Sequence, residues 1–258
     1  MPLDAPQHQP ADLDGQRSER NRLLRSLPRS EYASLRPTLV RVALAPRQTL
    51  YEPRVPIAHV YFPETATLAL VAELRRGGRI EVGGIGNEGF AGIPTLLGAR
   101  SMPYRALVEI PGESFRLSAE AFRRALADHP VLRSRLLRYP LFLVEQIAQM
   151  VACNRLHTLT QRCARWLLVA HDRVQSDTFP LTQGFLAELL AVRRPGVSVA
   201  AEMLQDARCI RYSRGRITIM DRAGLQGLCC ECYDTMRDDY AALFPDDEEV
   251  SASVLGRR

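Results

Sequence analysis

The sequence predicts an α+β protein whose amino-terminal half is rich in strands and whose carboxyl-terminal half is mainly helical. From Thr38 to Leu117, short runs rich in Val, Ile, Leu and Tyr alternate with Gly and Pro, as is typical of a β-sandwich or barrel. After Ser118 the apolar residues recur at three- and four-residue steps, which is the period of an α-helix. Two short helical patterns and two β-rich runs follow near the carboxyl end. A chain of 258 residues is long enough for two domains of this kind.

Five runs in the amino-terminal half are predicted strands. They lie at residues 38–44, 57–62, 67–74, 79–86 and 104–110. The segment 1–20 is polar and proline-rich, so we expect a mobile arm. It lacks the apolar core of a signal peptide, and no later stretch approaches the length of a membrane span. We therefore expect a cytoplasmic protein without membrane association.

The helical half begins with a capped helix and a long amphipathic one. Ser118 is a suitable N-cap for the first helix, and Pro130 starts a pattern that reaches about Arg155. Pro140 predicts a kink or a late helix start. The apolar stripe of this long helix comprises Leu136, Leu137, Leu143, Val144, Ile147, Met150 and Val151. Packing within the chain is the simpler interpretation of the stripe, and pairing of two copies into a dimer is the alternative.

The pattern next predicts a helix at Thr158–Val174, with Trp166 as a core anchor, and a loop at 175–179. A predicted helix-turn-helix follows this loop. Thr182 is a good N-cap for its first helix, and a turn at Ala191–Arg193 separates this from a second helix with Pro195 near its start. The pattern buries one face of the second helix, which consists of Val197, Ala200, Ala201 and Leu204. The outer face is small and polar, with Arg194 at its amino-terminal edge. Such a helix fits the major groove of DNA.

Two β-rich runs after the second helix predict a hairpin that turns at Ser213-Arg214-Gly215. Arg211, Arg214 and Arg216 crowd this hairpin, where guanidinium groups are well placed to bind phosphate oxygens. Charge supports this interpretation, because residues 151–216 contain 10 Arg against 5 acidic residues, whereas residues 217–258 contain 4 against 9. We expect Arg194 and Ser198 to read bases, and Thr182, Arg193, Arg211, Arg214 and Arg216 to contact the DNA backbone.

The order of β-rich domain, long helix, helix-turn-helix and wing resembles the Crp/Fnr family of bacterial transcription regulators. The similarity is strongest over LTQGFLAELLAVRRPGVSVAAEMLQDARCIRYSRGRITIMDRAGL and extends to IGNEGFAG, PGESFRLSAEAF, CNRLH and RCARWLL. The resemblance implies an amino-terminal cyclic-nucleotide-binding-like β-roll (jelly-roll), a long dimerisation helix and a carboxyl-terminal winged helix-turn-helix. It also implies a homodimer that binds double-stranded DNA at a roughly palindromic operator, and RNA polymerase as a partner if the protein is an activator.

On this basis the chain divides into five parts. They are a disordered arm at 1–20, a β-roll sensor domain at 21–128, a dimerisation helix at 129–156, a winged domain at 157–228, and a carboxyl-terminal helix with an acidic tail at 229–258. The family's first recognition arginine falls on Arg194. At the positions where the family commonly has a glutamate and a second arginine, this chain has Pro195 and Val199. We therefore expect its operator to differ from the best-known operator of the family.

The resemblance also implies an effector pocket in the β-roll, formed by Glu88, Gly89, Phe90, Arg100 and Ser101. Phe90 replaces the carboxylate that would hold the ribose of cyclic AMP, and Glu88 lies two residues too early. We therefore expect that cyclic AMP is not the ligand. Another small-molecule effector, or none, remains open.

The remaining side chains favour no enzyme and no cofactor. All 34 basic residues are Arg, and the absence of Lys excludes a Schiff base or a Walker-type phosphate lysine. Six cysteines without an export signal favour reduced thiols. In the run Cys229-Cys230-Glu231-Cys232 we expect Cys229 and Cys232 to share a buried helix face rather than to bind metal. The alternatives are a cupin-like metal-dependent enzyme, or a ligand-binding module that acts through protein partners.

Overall fold

The computed structural model describes residues 19–75 and 77–245. Most of the predicted arm and of the acidic tail lies outside these residues. The last two residues of the predicted arm, however, pack against the β-rich domain. Glu19 is buried and accepts a hydrogen bond from the Tyr32 hydroxyl at 2.7 Å, and the Arg20 amide donates to Glu64 at 3.0 Å. At these two positions the prediction of a mobile segment is wrong, because a buried carboxylate fixes the backbone.

Two antiparallel sheets form the amino-terminal domain. Two short helices, α1 (Arg22–Arg25) and α2 (Arg29–Leu35), precede seven strands and helix α3 (Ile93–Leu96). The strands are β1 (Val40–Leu44), β2 (Thr49–Tyr51), β3 (His59–Pro63), β4 (Thr67–Glu73), β5 (Arg79–Ile85), β6 (Arg105–Ile110) and β7 (Gly112–Ser118). The sheet orders are β1-β7-β3 and β2-β6-β4-β5. All five predicted strands are confirmed, whereas β2 and β7 were not among them.

The helical half begins where predicted. The Ser118 hydroxyl accepts from the Ala121 amide at 3.1 Å and caps α4 (Ala119–Asp128). Helix α5 (Pro130–Leu156) continues through Pro140, so the helix does not start late. Its apolar residues form two stripes rather than one. Leu136, Leu143 and Met150 are buried, but Leu137, Val144 and Val151 are 47%, 62% and 67% exposed.

The winged domain follows α6 (Leu159–Val174), which Thr158 and Gln161 cap reciprocally. It contains β8 (Thr178–Pro180), α7 (Gln183–Leu189), α8 (Arg194–Asp206), β9 (Ile210–Ser213) and β10 (Arg216–Ile219). The three strands form a sheet of order β8-β10-β9, so part of the predicted loop at 175–179 is a strand. Helices α9 (Arg222–Gly227) and α10 (Cys232–Leu243) end the described chain. The structure thus has the predicted order of β-roll, long helix and winged helix-turn-helix.

The prediction of a helix across Cys229–Cys232 is wrong. Cys229 and Cys230 lie in the turn between α9 and α10, and Cys232 is the first residue of α10. Cys230 and Cys232 are the buried pair, whereas Cys229 is partly exposed. Helix α9 ends at Gly227, and glycine is a poor helix former, so the helix does not extend to the cysteines.

A buried polar junction joins the β-roll to α6. The Arg173 guanidinium donates to the Gly84 carbonyl at 2.9 Å and to Glu88 at 2.8 Å, and the Trp166 indole donates to Glu81 at 3.1 Å. A Cβ on Gly84 would lie 2.4 Å from Arg173, so the strand must have glycine where the arginine crosses it. No helix within the described part of the chain is long and apolar enough to cross a membrane.

Candidate nucleic-acid interface

The first helix of the motif, α7, is positioned by its cap and its core. The Thr182 hydroxyl accepts from the Phe185 amide at 3.2 Å, which confirms the predicted N-cap. Phe185, Leu186, Leu189 and Leu190 are buried. Ala191 then adopts a left-handed conformation with φ of 51°, which turns the chain sharply into α8. Because its hydroxyl is used as a cap, Thr182 has less freedom to contact phosphate than an unbonded threonine.

The second helix, α8, presents one face to the core and the other to solvent. Val197, Ala200, Ala201 and Leu204 are all buried, as predicted. The opposite face exposes Pro195, Val199, Glu202 and Met203, with Val199 58% exposed. Proline fits in the first turn because an amide there has no partner within the helix. An exposed face of this kind is available to a groove of DNA.

The two predicted base readers differ in their surroundings. Arg194 is the first residue of α8 and its side chain is exposed. The Ser198 hydroxyl lies 2.7 Å from the Gln183 Oε1 and 3.2 Å from the Arg194 carbonyl, so it already has partners inside the motif. A base contact by Ser198 would have to replace these bonds or use the oxygen's remaining lone pair. Arg194 has no such constraint.

The wing is a tight hairpin held against α8. Ser213 pairs with Arg216, and the two turn residues, Arg214 and Gly215, have φ of 49° and 73°. Two successive positive φ values are characteristic of a type I′ turn, in which glycine is favoured. The Tyr212 amide donates to the Gln205 Oε1 at 2.9 Å and thereby links the wing to the second helix. The hairpin and its glycine are confirmed, and the wing is fixed beside α8.

Unpaired arginines surround this surface. Arg193, Arg194, Arg211, Arg214 and Arg216 are exposed, and none forms an ion pair within residues 19–75 and 77–245. The opposite side of the motif differs, because Glu188 of α7 binds Arg47 at 2.8 Å and Arg79 at 3.3 Å. Glu188 therefore faces the β-roll, whereas Glu202 lies on the exposed face of α8. The exposed cations remain on the side that bears α8 and the wing.

The structure does not bring the five predicted effector-pocket residues together. Phe90 is fully buried and stacks on Phe62 at a centroid distance of 5.7 Å. Glu88 is paired with Arg173, and a Cβ on Gly89 would lie 1.9 Å from the Tyr139 ring. These three residues contribute to core packing and the domain junction, and Glu88 also lines a second cavity of about 300 Å³.

A different set of residues lines a cavity of about 300 Å³ between the β-roll and α5. Ser101 is the one predicted residue among them, and the exposed Arg100 is not. The walls are apolar, with Leu70, Ile85, Ile93, Met102, Leu143 and Ile147 among them. The sequence could not reveal this cavity, because its apolar residues are indistinguishable from ordinary core residues before folding.

Comparison with known proteins agrees with this geometry. Residues 161–228 match the family described as the Crp-like helix-turn-helix domain. A transcriptional regulator of the Crp/Fnr family from Eubacterium rectale has 14% identity and a TM-score of 0.59, over 80% of this chain and 96% of its own. A CRP-family transcriptional regulator from Thermus thermophilus has 20% identity and a TM-score of 0.57, over 73% of this chain and 95% of its own. No curated protein matches this chain in sequence.

A third solved structure is the c-di-GMP responsive global regulator CLP from Xanthomonas campestris. It has 14% identity and a TM-score of 0.56, over 74% of this chain and 99% of its own. Likeness at these identities establishes the fold, and the family match establishes the helix-turn-helix domain. The family match shows a Crp-like helix-turn-helix domain at residues 161–228, and the solved structures show that the chain shares the fold of Crp/Fnr regulators.

Proposed function

We propose that this protein binds a roughly palindromic operator as a homodimer, with one α8 in each of two successive major grooves. The observation on which the proposal rests is the surface formed by α8 and the wing, where five exposed arginines have no acidic partner in the described residues. Arg194 would read a base, because its planar guanidinium can bond guanine O6 and N7 together. Arg193, Arg211, Arg214 and Arg216 would bind phosphates and set the register.

The exposed stripe on α5 supports the dimer. Leu137, Leu141, Val144 and Val151 are 47%, 50%, 62% and 67% exposed and follow a spacing of four, three and seven residues. This is the spacing of a coiled-coil seam, and it lies opposite the buried stripe of the same helix. A second copy of α5 would cover these side chains and place two winged domains on one side of the dimer.

Selection of DNA from a random pool by the purified full-length chain tests the proposal. We expect an inverted repeat whose half-site centres are about 10 base pairs apart, or a multiple of one helical turn. Retention of DNA without sequence enrichment, or enrichment of an isolated half-site, would contradict the palindromic operator. Effector binding without any salt-dependent affinity for DNA would instead support a module that acts through protein partners.

The dimer is tested by a charge on the exposed stripe. Val144→Glu should give a monomer in sedimentation, because a carboxylate would have to be buried at the helix pair. Leu74→Glu is the matched control, since Leu74 is a 67% exposed apolar residue outside α5. If both variants sediment as the unmodified protein does, the stripe is not the dimer contact.

The lining of the β-roll cavity also supports the proposal that cyclic AMP is not its ligand. Among described residues, no charged side chain lines the cavity. A cyclic phosphate and a ribose need charged or hydrogen-bonding partners there. We propose that any effector in this cavity is a small apolar molecule. Calorimetric titration with cyclic AMP should give no heat of binding, and saturable micromolar binding would contradict the proposal.

A further inference from the structure

Four side chains with metal-binding atoms converge between the end of the long helix and the start of the last helix. They are Cys153, His157, Cys230 and Cys232, and their ligand atoms all lie within 4.8 Å of one another. Cys153 and His157 are four residues apart and lie on the same side at the end of α5. Cys230 lies in the turn before α10, and Cys232 is the first residue of α10. Two segments separated by the whole winged domain thus supply two ligands each.

Two of the distances between ligand atoms match a tetrahedral ion, and the other pairs lie within 4.8 Å. Bonds of about 2.3 Å from Zn²⁺ to thiolate sulfur place two ligands about 3.8 Å apart across a tetrahedron edge. The Cys153 and Cys230 sulfurs are 3.6 Å apart, and the Cys232 sulfur is 3.5 Å from the His157 Nδ1. Cys153, Cys230 and Cys232 are 0%, 4% and 1% exposed. Three sulfurs and one imidazole form a standard ligand set of structural zinc sites.

The surrounding groups support this assignment. His157 directs Nδ1 to the sulfur atoms, while its Nε2 lies 3.2 Å from the Glu231 carboxylate. A carboxylate on the outer nitrogen is the usual means of orienting a metal-bound histidine. The Gln149 amide donates to the Cys232 sulfur at 3.1 Å. Each of these two interactions holds a ligand atom in an orientation that points to the centre of the four side chains.

Charge is also compensated. One Zn²⁺ with three thiolates leaves one net negative charge, which requires a nearby cation in a buried site. Arg165 is 3% exposed, its charge acts on both Cys153 and Glu81, and its Nε and Nη2 have no hydrogen-bond partner in the described residues. A buried guanidinium with unsatisfied donors is a suitable counter-charge for a thiolate–metal centre.

We propose that Cys153, His157, Cys230 and Cys232 bind a single Zn²⁺ ion. With four protein ligands the site is closed, which is typical of a structural rather than a catalytic ion. The chain enters the winged domain after His157 and leaves it before Cys230, so the ion would join the two ends of that domain to the long helix. Metal binding here is independent of whether the protein recognises a palindromic operator.

Metal analysis of the full-length protein, purified under reducing conditions, tests the proposal. We expect one zinc per chain in the unmodified protein and in Cys229→Ser, the adjacent cysteine outside the cluster. Cys230→Ser and Cys153→Ser should reduce the zinc content to near zero. His157→Ala should also lose metal, whereas His157→Cys should retain it because four ligands remain. Equal loss in Cys229→Ser and Cys230→Ser would overturn the assignment.

A second measurement does not depend on whether the variants fold. Co²⁺ added to metal-free unmodified protein should produce the intense visible absorption of a tetrahedral thiolate site, and Zn²⁺ should abolish it. Less than stoichiometric zinc after exposure of the reduced protein to excess Zn²⁺ and dialysis would overturn the proposal. Iron with acid-labile sulfide would also overturn it, because it would show a cluster and not a single ion.

Discussion

Arginine has opposite surroundings on the winged-helix surface and at the domain junction. Arg194 and Arg214 are exposed and have no acidic partner in the described residues. Arg173 is 7% exposed, and its guanidinium bonds a carboxylate and a carbonyl. The charge of the first two is available to a polyanion, whereas the charge of Arg173 is neutralised inside the fold. The number of arginines in a chain therefore indicates neither function nor stability until the burial of each is known.

The largest effect is expected at the junction. Arg173→Met should lower the free energy of unfolding by about 3–5 kcal/mol, because it leaves Glu88 buried without its partner. Urea denaturation of the two proteins measures the difference. Arg214→Met is the matched control and should unfold as the unmodified protein does, since Arg214 is exposed. Equal stability of Arg173→Met and the unmodified protein would contradict the role given to the junction.

The pH dependence of the free energy of unfolding tests the same difference between buried and exposed charged residues. The pKa of Glu109 is raised from 4.5 to about 8, first by burial and second by the negative charge of Glu81. Between these two pH values the folded state holds a proton that the unfolded chain has released, so the free energy of unfolding should fall as pH rises from about 4.5 to 8. Glu109→Gln cannot ionise and should show a shallower fall. Urea titrations across this pH range provide the measurement.

Glu120→Gln is the control for that experiment. Glu120 is exposed and pairs with Arg124 four residues along the same helix, so its replacement removes a surface carboxylate and leaves the buried junction intact. Some pH dependence should persist in Glu109→Gln, because burial also raises the pKa of Glu64 to about 7. If Glu109→Gln and the unmodified protein have the same slope, Glu109 does not titrate in this range.

On the DNA surface the largest expected effect is at Arg194. Arg194→Ala should weaken binding to the selected operator by about 1–3 kcal/mol and binding to random DNA by little, because a base contact is specific to sequence. Gel-shift or fluorescence titrations at one salt concentration measure both. Equal weakening on the two DNAs would show that Arg194 contacts the backbone and does not read a base.

The smallest effect is expected at the wing. Arg214→Ala should weaken operator and random DNA to a similar extent and reduce the slope of log K against log salt by about 1, because one phosphate contact is lost. Titrations at several salt concentrations give this slope. An unchanged slope would place Arg214 away from the DNA.

The exposed surface was predictable from sequence because local patterns determine it. Thr182, Pro195 and Gly215 each satisfy a local backbone requirement, and helical spacing alone identifies the buried face of α8. The surroundings of the predicted pocket residues were not predictable, for the opposite reason. Glu88 and Phe90 are two residues apart in the chain, but their partners Arg173 and Phe62 lie far away along it.

Local sequence patterns were sufficient to predict the order of elements, five strands, the winged helix-turn-helix and the arginines at its surface. The folded structure was needed to show which stripe of α5 is covered, which residues line the β-roll cavity, and that Cys153 and His157 meet Cys230 and Cys232. Capping, turns and periodicity are predictable because they act over a few residues. Buried ion pairs, cavities and ligand clusters depend on contacts between segments that the chain brings together only when it folds.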